Sequence, residues 1–145
     1  MTGWDQEPGK QRVVLDTNVL VSALLSPTGN PSAVLKAALD GDLTLVYSAA
    51  IIAECRSVLA RPRFGFDPGD IGDVLAFAEA FGQVVAPTVS SVPLLDESDR
   101  PFYDAGVAAA ATVVTGNTRH FPPTCRMLTP AELVQALPEP RFGLD

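Results

Sequence analysis

The sequence predicts an α/β fold, with a central parallel sheet covered by helices on both faces. Three observations predict it. Short runs without a polar residue, such as Val13, Val14 and Leu15, read as strands buried on both sides. Capped helices separate these runs, and parallel neighbours need crossovers of that kind, which are almost always right-handed. Polar residues stand directly behind the strands, where open α/β sheets place their sites, near the point at which strand order reverses.

Residues 1–11 mix charge, Gly and Pro without periodicity and read as a flexible lead, so the domain is expected to span residues 12–137. Strand one is Val13, Val14 and Leu15, and Asp16-Thr17-Asn18 follow at once. A short apolar helix is expected over residues 19–25, broken by Ser26-Pro27-Thr28-Gly29. The next helix spans residues 31–40, with Asn30 as its cap, Pro31 in the first turn and Gly41 in the left-handed terminal position. Residues 43–47 read as strand two. Ser48 caps a helix whose apolar face is Ala49, Ile52, Ala53, Arg56 and Ala60, an interrupted face, and Pro62 ends it.

Asp67-Pro68 starts a helix that carries Ile71, Val74, Leu75, Ala78 and Phe81 on one side and stops at Gly82. Val84, Val85 and Ala86 are the third strand, and residues 88–93 a polar connection. An acidic patch, Asp96-Glu97-Ser98-Asp99, precedes a helix over residues 102–111, in which Pro101 is tolerated only in the first turn. Residues 112–115 return as a buried strand, ended by Gly116-Asn117-Thr118. Residues 126–128 form a short last strand, and Thr129-Pro130 cap and open a final helix reaching Leu137. The tail from residue 138 is expected to be loose.

Composition narrows the function classes. The 145 residues carry 10 Lys and Arg against 17 Asp and Glu, a formal charge of −7, with 47% apolar residues. A chain of this length buries enough surface to fold without disulfides or metal. The 13 Pro and 11 Gly fall short of the roughly one quarter of a chain that marks low complexity. No apolar run reaches the ~20 residues of a membrane span and no secretory leader is evident, so a cytoplasmic protein without a membrane partner is expected. Cys55 and Cys125 have no CxxC partner and read as reduced core thiols. The lone histidine, His120, excludes two-histidine mechanisms and reads as structural or surface. Any chemistry must therefore run on carboxylates. Neither GxGxxG nor GxxxxGK[ST] occurs, and a phospho-receiver domain would need a late lysine where only Lys10 and Lys36 exist.

Four positions stand where such a site belongs: Asp16 behind strand one, Glu54 in the helix after strand two, Asp99 before the fourth strand's helix, and Asn117 just past strand four. If strands one and four are neighbours, Asp16, Asp99 and Asn117 share one rim and Glu54 leans in from the adjacent helix. Grouped carboxylates raise one another's pKa unless a divalent cation lies between them, and hard oxygen ligands suit Mg²⁺ or Mn²⁺. Such a cation activates water and stabilises charge on a phosphodiester. Each residue has a plainer alternative. Asp16 and Asp99 can be helix caps, with Asp96 and Asp104 competing with Asp99 for any metal role; Glu54 can pair with Arg56, and Asn117 can be a turn residue. Arg56, Arg61 and Arg63 form a basic strip near Glu54 that is either solvated surface or a phosphate contact.

The stretches VVLDTNVLVSALL, SAAIIAECRSVLARPRF and DESDRPFYDAGVAAAATVVTGNTRHF resemble the PIN domain, in particular its VapC-like branch of toxin components from bacterial toxin–antitoxin systems. The resemblance implies a three-layer α/β/α sandwich and a Mg²⁺- or Mn²⁺-dependent endoribonuclease that cuts RNA, commonly paired with an antitoxin that inserts a peptide near the site. It maps the family's acids onto Asp16, Glu54 and Asp99, a supporting Asn onto Asn18 and a hydroxyl beside the site onto Thr115. Asn117 stands where the family usually has a fourth acid, which implies weaker metal affinity, above all for a second cation. The alternative is a PIN fold without turnover that binds RNA or protein. Leu20, Leu24, Ile51 and Ile52 could serve a homodimer or simply pack in the core.

Overall fold

The computed structural model describes residues 11–137. The expected flexible lead, apart from Gln11, and the expected loose tail from Pro138 lie outside the described residues. Five strands, β1 (Gln11–Leu15), β2 (Leu43–Tyr47), β3 (Gln83–Val84), β4 (Thr112–Val114) and β5 (Met127–Leu128), form one sheet in the order β3-β2-β1-β4-β5, every pair parallel. Gln11 belongs to β1, in register with Leu43, so the domain begins one residue before the expected start.

Six α-helices among the described residues flank them: α1 (Thr17–Leu25), α2 (Asn30–Leu39), α3 (Ala49–Leu59), α4 (Pro68–Phe81), α5 (Arg100–Ala109) and α6 (Pro130–Ala136). Side chains alternate across the strands and divide the core into two layers. Val14, Val46 and Val113 pack with Ile51, Ile52, Cys55 and Leu59 of α3 and Phe102, Tyr103 and Ala105 of α5. Val13, Leu15, Leu43, Leu45 and Val114 pack with Val34, Ala37 and Ala38 of α2, Ala78 of α4 and Leu133 of α6. The result is the α/β/α sandwich, with β1 at its centre. No helix among the described residues is long and apolar enough to cross a membrane.

The local signals place most boundaries. Ser48 and Asp67 accept first-turn amide hydrogens, Thr129 and Glu132 form a reciprocal capping box, and Gly41 is left-handed at φ 88°. Several expectations need correction. Asn30 is inside α2, and Gly29 caps it without a side-chain bond, because the Pro31 ring already presets the first turn. The inward face of α3 is Ile51, Ile52, Cys55, Val58 and Leu59, whereas Ala49, Ala53, Arg56 and Ala60 are exposed. The larger apolar set at helical spacing wins because it removes more surface from water. Strand β3 is Gln83–Val84, with Val85 N–H still donating to Tyr47 O at 2.8 Å, and Ala86 is beyond the end of its only neighbour, β2. Helix α5 starts at Arg100 and ends at Ala109, where Ala110 turns left-handed at φ 50°. Leu20, Ile51 and Ile52 are buried and Leu24 is half-buried against the same core, so core packing engages all four side chains considered for a dimer.

Gly82 ends α4 where the helix meets β2. A Cβ there would stand 2.5 Å from the carbonyl oxygens of both Ala78 and Leu45. Neither backbone atom can yield without parting helix from sheet. Gly82→Ala is expected to cost at least about 2 kcal/mol, in the range of overpacking substitutions, read as a lower urea midpoint; an unchanged midpoint would show that the junction is looser than this.

Candidate active site

The chain runs from β1 outward through β2 to β3, then returns to β4 on the other side of β1, so strand order reverses between β1 and β4. Asp16 follows β1 and Thr115 follows β4 at this point. A cavity of about 200 Å³ opens there, lined by Asp16, Asn18, Glu54, Asp99 and Asn117, together with Thr17, Val58, Arg61, Asp96, Ser98, Phe102 and His120. Four sequence-derived positions from four separate segments, Asp16, Glu54, Asp99 and Asn117, thus reach one cavity. Thr115 is wholly buried behind it, and Arg56 is exposed and does not line it.

Asp16 is 5% exposed and engaged on both oxygens. Oδ1 accepts the Asn18 amide at 3.4 Å, and so caps α1 as the plainer reading had it. Oδ2 accepts the Thr115 hydroxyl at 2.8 Å, and Thr115 Oγ1 in turn accepts the Asn117 amide at 3.1 Å. Cap and site residue are therefore the same carboxylate. Thr115→Val removes the donor, leaving a buried carboxylate oxygen and the Asn117 amide unmatched. It should cost about 1–3 kcal/mol in chemical denaturation; a loss near zero would show that water replaces the hydroxyl.

Asp99 is different. It starts α5, yet its side chain makes no cap bond, which removes the capping explanation. Asp96 does the local work instead, accepting the Ser98 amide at 2.9 Å and hydroxyl at 2.7 Å. Asp104 is turned away, accepting the Ser90 amide at 3.2 Å, and does not line the cavity. Asp99 Oδ2 is buried without a hydrogen-bond donor; the imidazole Nδ1 of His120 stands 3.5 Å away. Burial, then the charges of Asp16 and Asp96, push the Asp99 carboxyl above the ordinary carboxylate range, with His120 opposing. A carboxylate held in this state is poised to accept a cation or a proton.

Glu54 reaches the cavity because α3 presents it on the same face as Val58, at positions i and i+4, and Arg61 joins them from just past the helix end. Cys55, next to it, is buried beside Thr17 Oγ1 at 3.5 Å, and burial raises its thiol to about 11, so it is an inert core residue. Among the described residues no three carboxylate, imidazole or thiolate side chains converge into a complete ligand set. A cation here would be held by one or two carboxylates and by water, as hydrated Mg²⁺ commonly is.

Of the basic strip weighed as surface or phosphate contact, Arg61 lines the cavity, and so does His120, which had read as structural or surface. Arg61 lies just past the end of α3, where the turn set by Pro62 places it; His120 follows Asn117 by three residues, in a short 3₁₀ turn (Thr118–His120) that no local signal announces.

Comparison with known proteins bears on the fold and the family. The chain is similar to an uncharacterized protein of Methanocaldococcus jannaschii, 28% identical over 111 residues that cover 74% of this chain and 72% of the relative. Its fold is similar to that of VapBC2 from Rickettsia felis bound to a DNA fragment from their promoter, with a TM-score of 0.56, 14% identity and coverage of 82% of this chain and 98% of the other. It is also similar to FitAB bound to the IR36 DNA fragment, with a TM-score of 0.61, 18% identity and coverage of 90% and 99%. The family model for the PIN domain matches residues 12–119, which run from the first strand through the rim behind β4. With sheet order, switch-point cavity and family match in agreement, this chain belongs to the PIN domain family.

Proposed function

We propose that the protein is a Mg²⁺- or Mn²⁺-dependent endoribonuclease and the toxin of a toxin–antitoxin pair. The observation that carries this reading is the meeting of Asp16, Glu54 and Asp99, from three distant elements, in one cavity where a buried carboxylate oxygen of Asp99 lacks a donor. The orphaned oxygen and the hard donor set fit a hydrated divalent cation held by Asp16 and Asp99. When bound, such a cation supplies Lewis-acid stabilisation of phosphoryl charge and lowers the pKa of water.

Around it, this chain's residues have separate tasks. Thr115 and the Asn18 amide hold the Asp16 carboxylate in one orientation. Glu54 orients the attacking water or takes its proton, and Asn117, an amide without charge, supports a ligand water. Attack by water with departure of the 3′ oxygen leaves a 5′-phosphate. Asn18 lies at the mouth for substrate contact. The two-component complexes named for the similar structures support an antitoxin partner, and a homodimer remains part of the proposal.

Single-stranded RNA incubated with millimolar Mn²⁺ should be cut, with products that carry a 5′-phosphate, and chelation should stop the reaction. Binding of RNA without any metal-stimulated cleavage would favour the second reading, a PIN fold serving as a binding platform. The uncharged Asn117 and the absence of a complete three-ligand set among the described residues are the observations on that side.

A further inference from the structure

The cavity has a charge problem. Asp16, Glu54, Asp96 and Asp99 line it in a chain of net charge −7, and a phosphate backbone must still approach. A single dication offsets only part of this. Among the described residues that line the cavity one carries a fixed positive charge, and that is Arg61. Among the described residues Arg61 makes no ion pair, although carboxylates share its cavity.

The backbone holds Arg61 firmly. Its N–H donates to Val58 O at 3.1 Å, a turn bond that ties it to the end of α3. Pro62 then forces it out of helical conformation, to φ −62° and ψ 130°. A 3₁₀ turn (Pro62–Phe64) follows, closed by Phe64 N–H to Arg61 O and Gly65 N–H to Pro62 O, both 3.1 Å, with Gly65 left-handed. Phe64 and Phe66 stack at 5.5 Å and pack against the core, and the Arg63 guanidinium lies 4.9 Å over the Phe64 ring. The basic turn is thus riveted to the domain by its aromatic residues. Held in place, it loses less freedom on binding than a loose arginine would.

From this we propose that Arg61 anchors a phosphate of single-stranded RNA beside the bond to be cut, with the Arg61-to-Phe66 turn as the lip that guides the strand and Arg63 meeting the backbone farther out. The guanidinium fork suits phosphate oxygens and cannot be deprotonated. The inference rests on the ribonuclease reading but concerns binding, so the two fail separately.

Fluorescence anisotropy of a labelled single-stranded RNA oligonucleotide, measured in Ca²⁺, reads binding, and cleavage in Mn²⁺ reads turnover. Arg61→Gln should weaken binding about tenfold and lower the slope of log affinity against log salt by about one. In cleavage it should raise KM by a similar factor and leave kcat within about twofold. Arg61→Lys should recover part of the affinity, and Lys36→Gln, which removes the same charge from α2, should bind like wild type. Wild-type protein that binds but does not cut, with Arg61→Gln still weakened, supports the anchor while removing the nuclease reading. Equal binding by Arg61→Gln and wild type, an equal loss in Lys36→Gln, or no binding by wild type overturns the anchor.

Discussion

Asp16→Asn is expected to lower metal-dependent RNA cleavage by at least about 100-fold, the scale of losing one electrostatic element of a site, while the protein stays folded. The geometry separates the two effects. An Asn side chain keeps one carbonyl oxygen, which can accept from either Thr115 or the Asn18 amide, and its volume is nearly that of Asp. Cap and packing therefore survive, and the change in stability should stay within about 1 kcal/mol. Negative charge at the end of β1 is what disappears. Single-turnover cleavage with Mn²⁺, read beside a thermal melt, checks both halves. Full activity in a folded Asp16→Asn protein would mean that catalysis does not run through the switch-point carboxylates.

Asp99→Asn should do the opposite to stability. The Asp99 carboxyl is raised above its unfolded value, first by burial and then by Asp16 and Asp96. The folded state therefore binds the proton more tightly than the unfolded state. That contribution is fully present below the unfolded carboxylate pKa and is lost as pH rises through the raised folded value. Above that raised value the metal-free protein holds an ionised oxygen without a donor. Replacing it with an amide should raise the metal-free Tm at pH 7 by about 2–4 °C, corresponding to about 1 kcal/mol in a domain of this size.

The same variant should lose the stabilisation by Mn²⁺, which for wild type would be about 2.7 kcal/mol at a hundredfold excess over Kd. A site residue that destabilises the empty fold and strengthens the loaded one is the signature sought. If Asp99→Asn melts lower than wild type without metal and shifts equally with Mn²⁺, Asp99 is a structural residue and the cation lies elsewhere.

Much of the molecule was legible from short-range chemistry. Val13, Val14 and Leu15 could be read as a doubly buried strand because nothing polar interrupts them, and all three are buried. Ser48, Asp67 and Thr129 announced helix starts because a cap bond spans only two or three residues. Boundaries slipped where a neighbour decided them. Strand β3 ends where β2 stops offering partners, and the face of α3 follows the layer it packs against. Asp104 looked like a rival to Asp99 in sequence, and only the connector that reaches back to Ser90 shows that it is engaged elsewhere.

Alternation of apolar runs, helix caps and strand-end acids was thus enough for the layered α/β architecture and for naming Asp16, Glu54, Asp99 and Asn117, since each depends on contacts within a few residues. Which side chains meet is another matter. Asp16 and Thr115 are 99 residues apart, and their hydrogen bond exists because β4 pairs with β1 and not with β3. Arg61 likewise lines the cavity and Arg56 does not because the rim meets the end of α3 and not its exposed flank. Those outcomes depend on sheet order and helix rotation, which the burial of the whole core sets at once and no local stretch encodes alone.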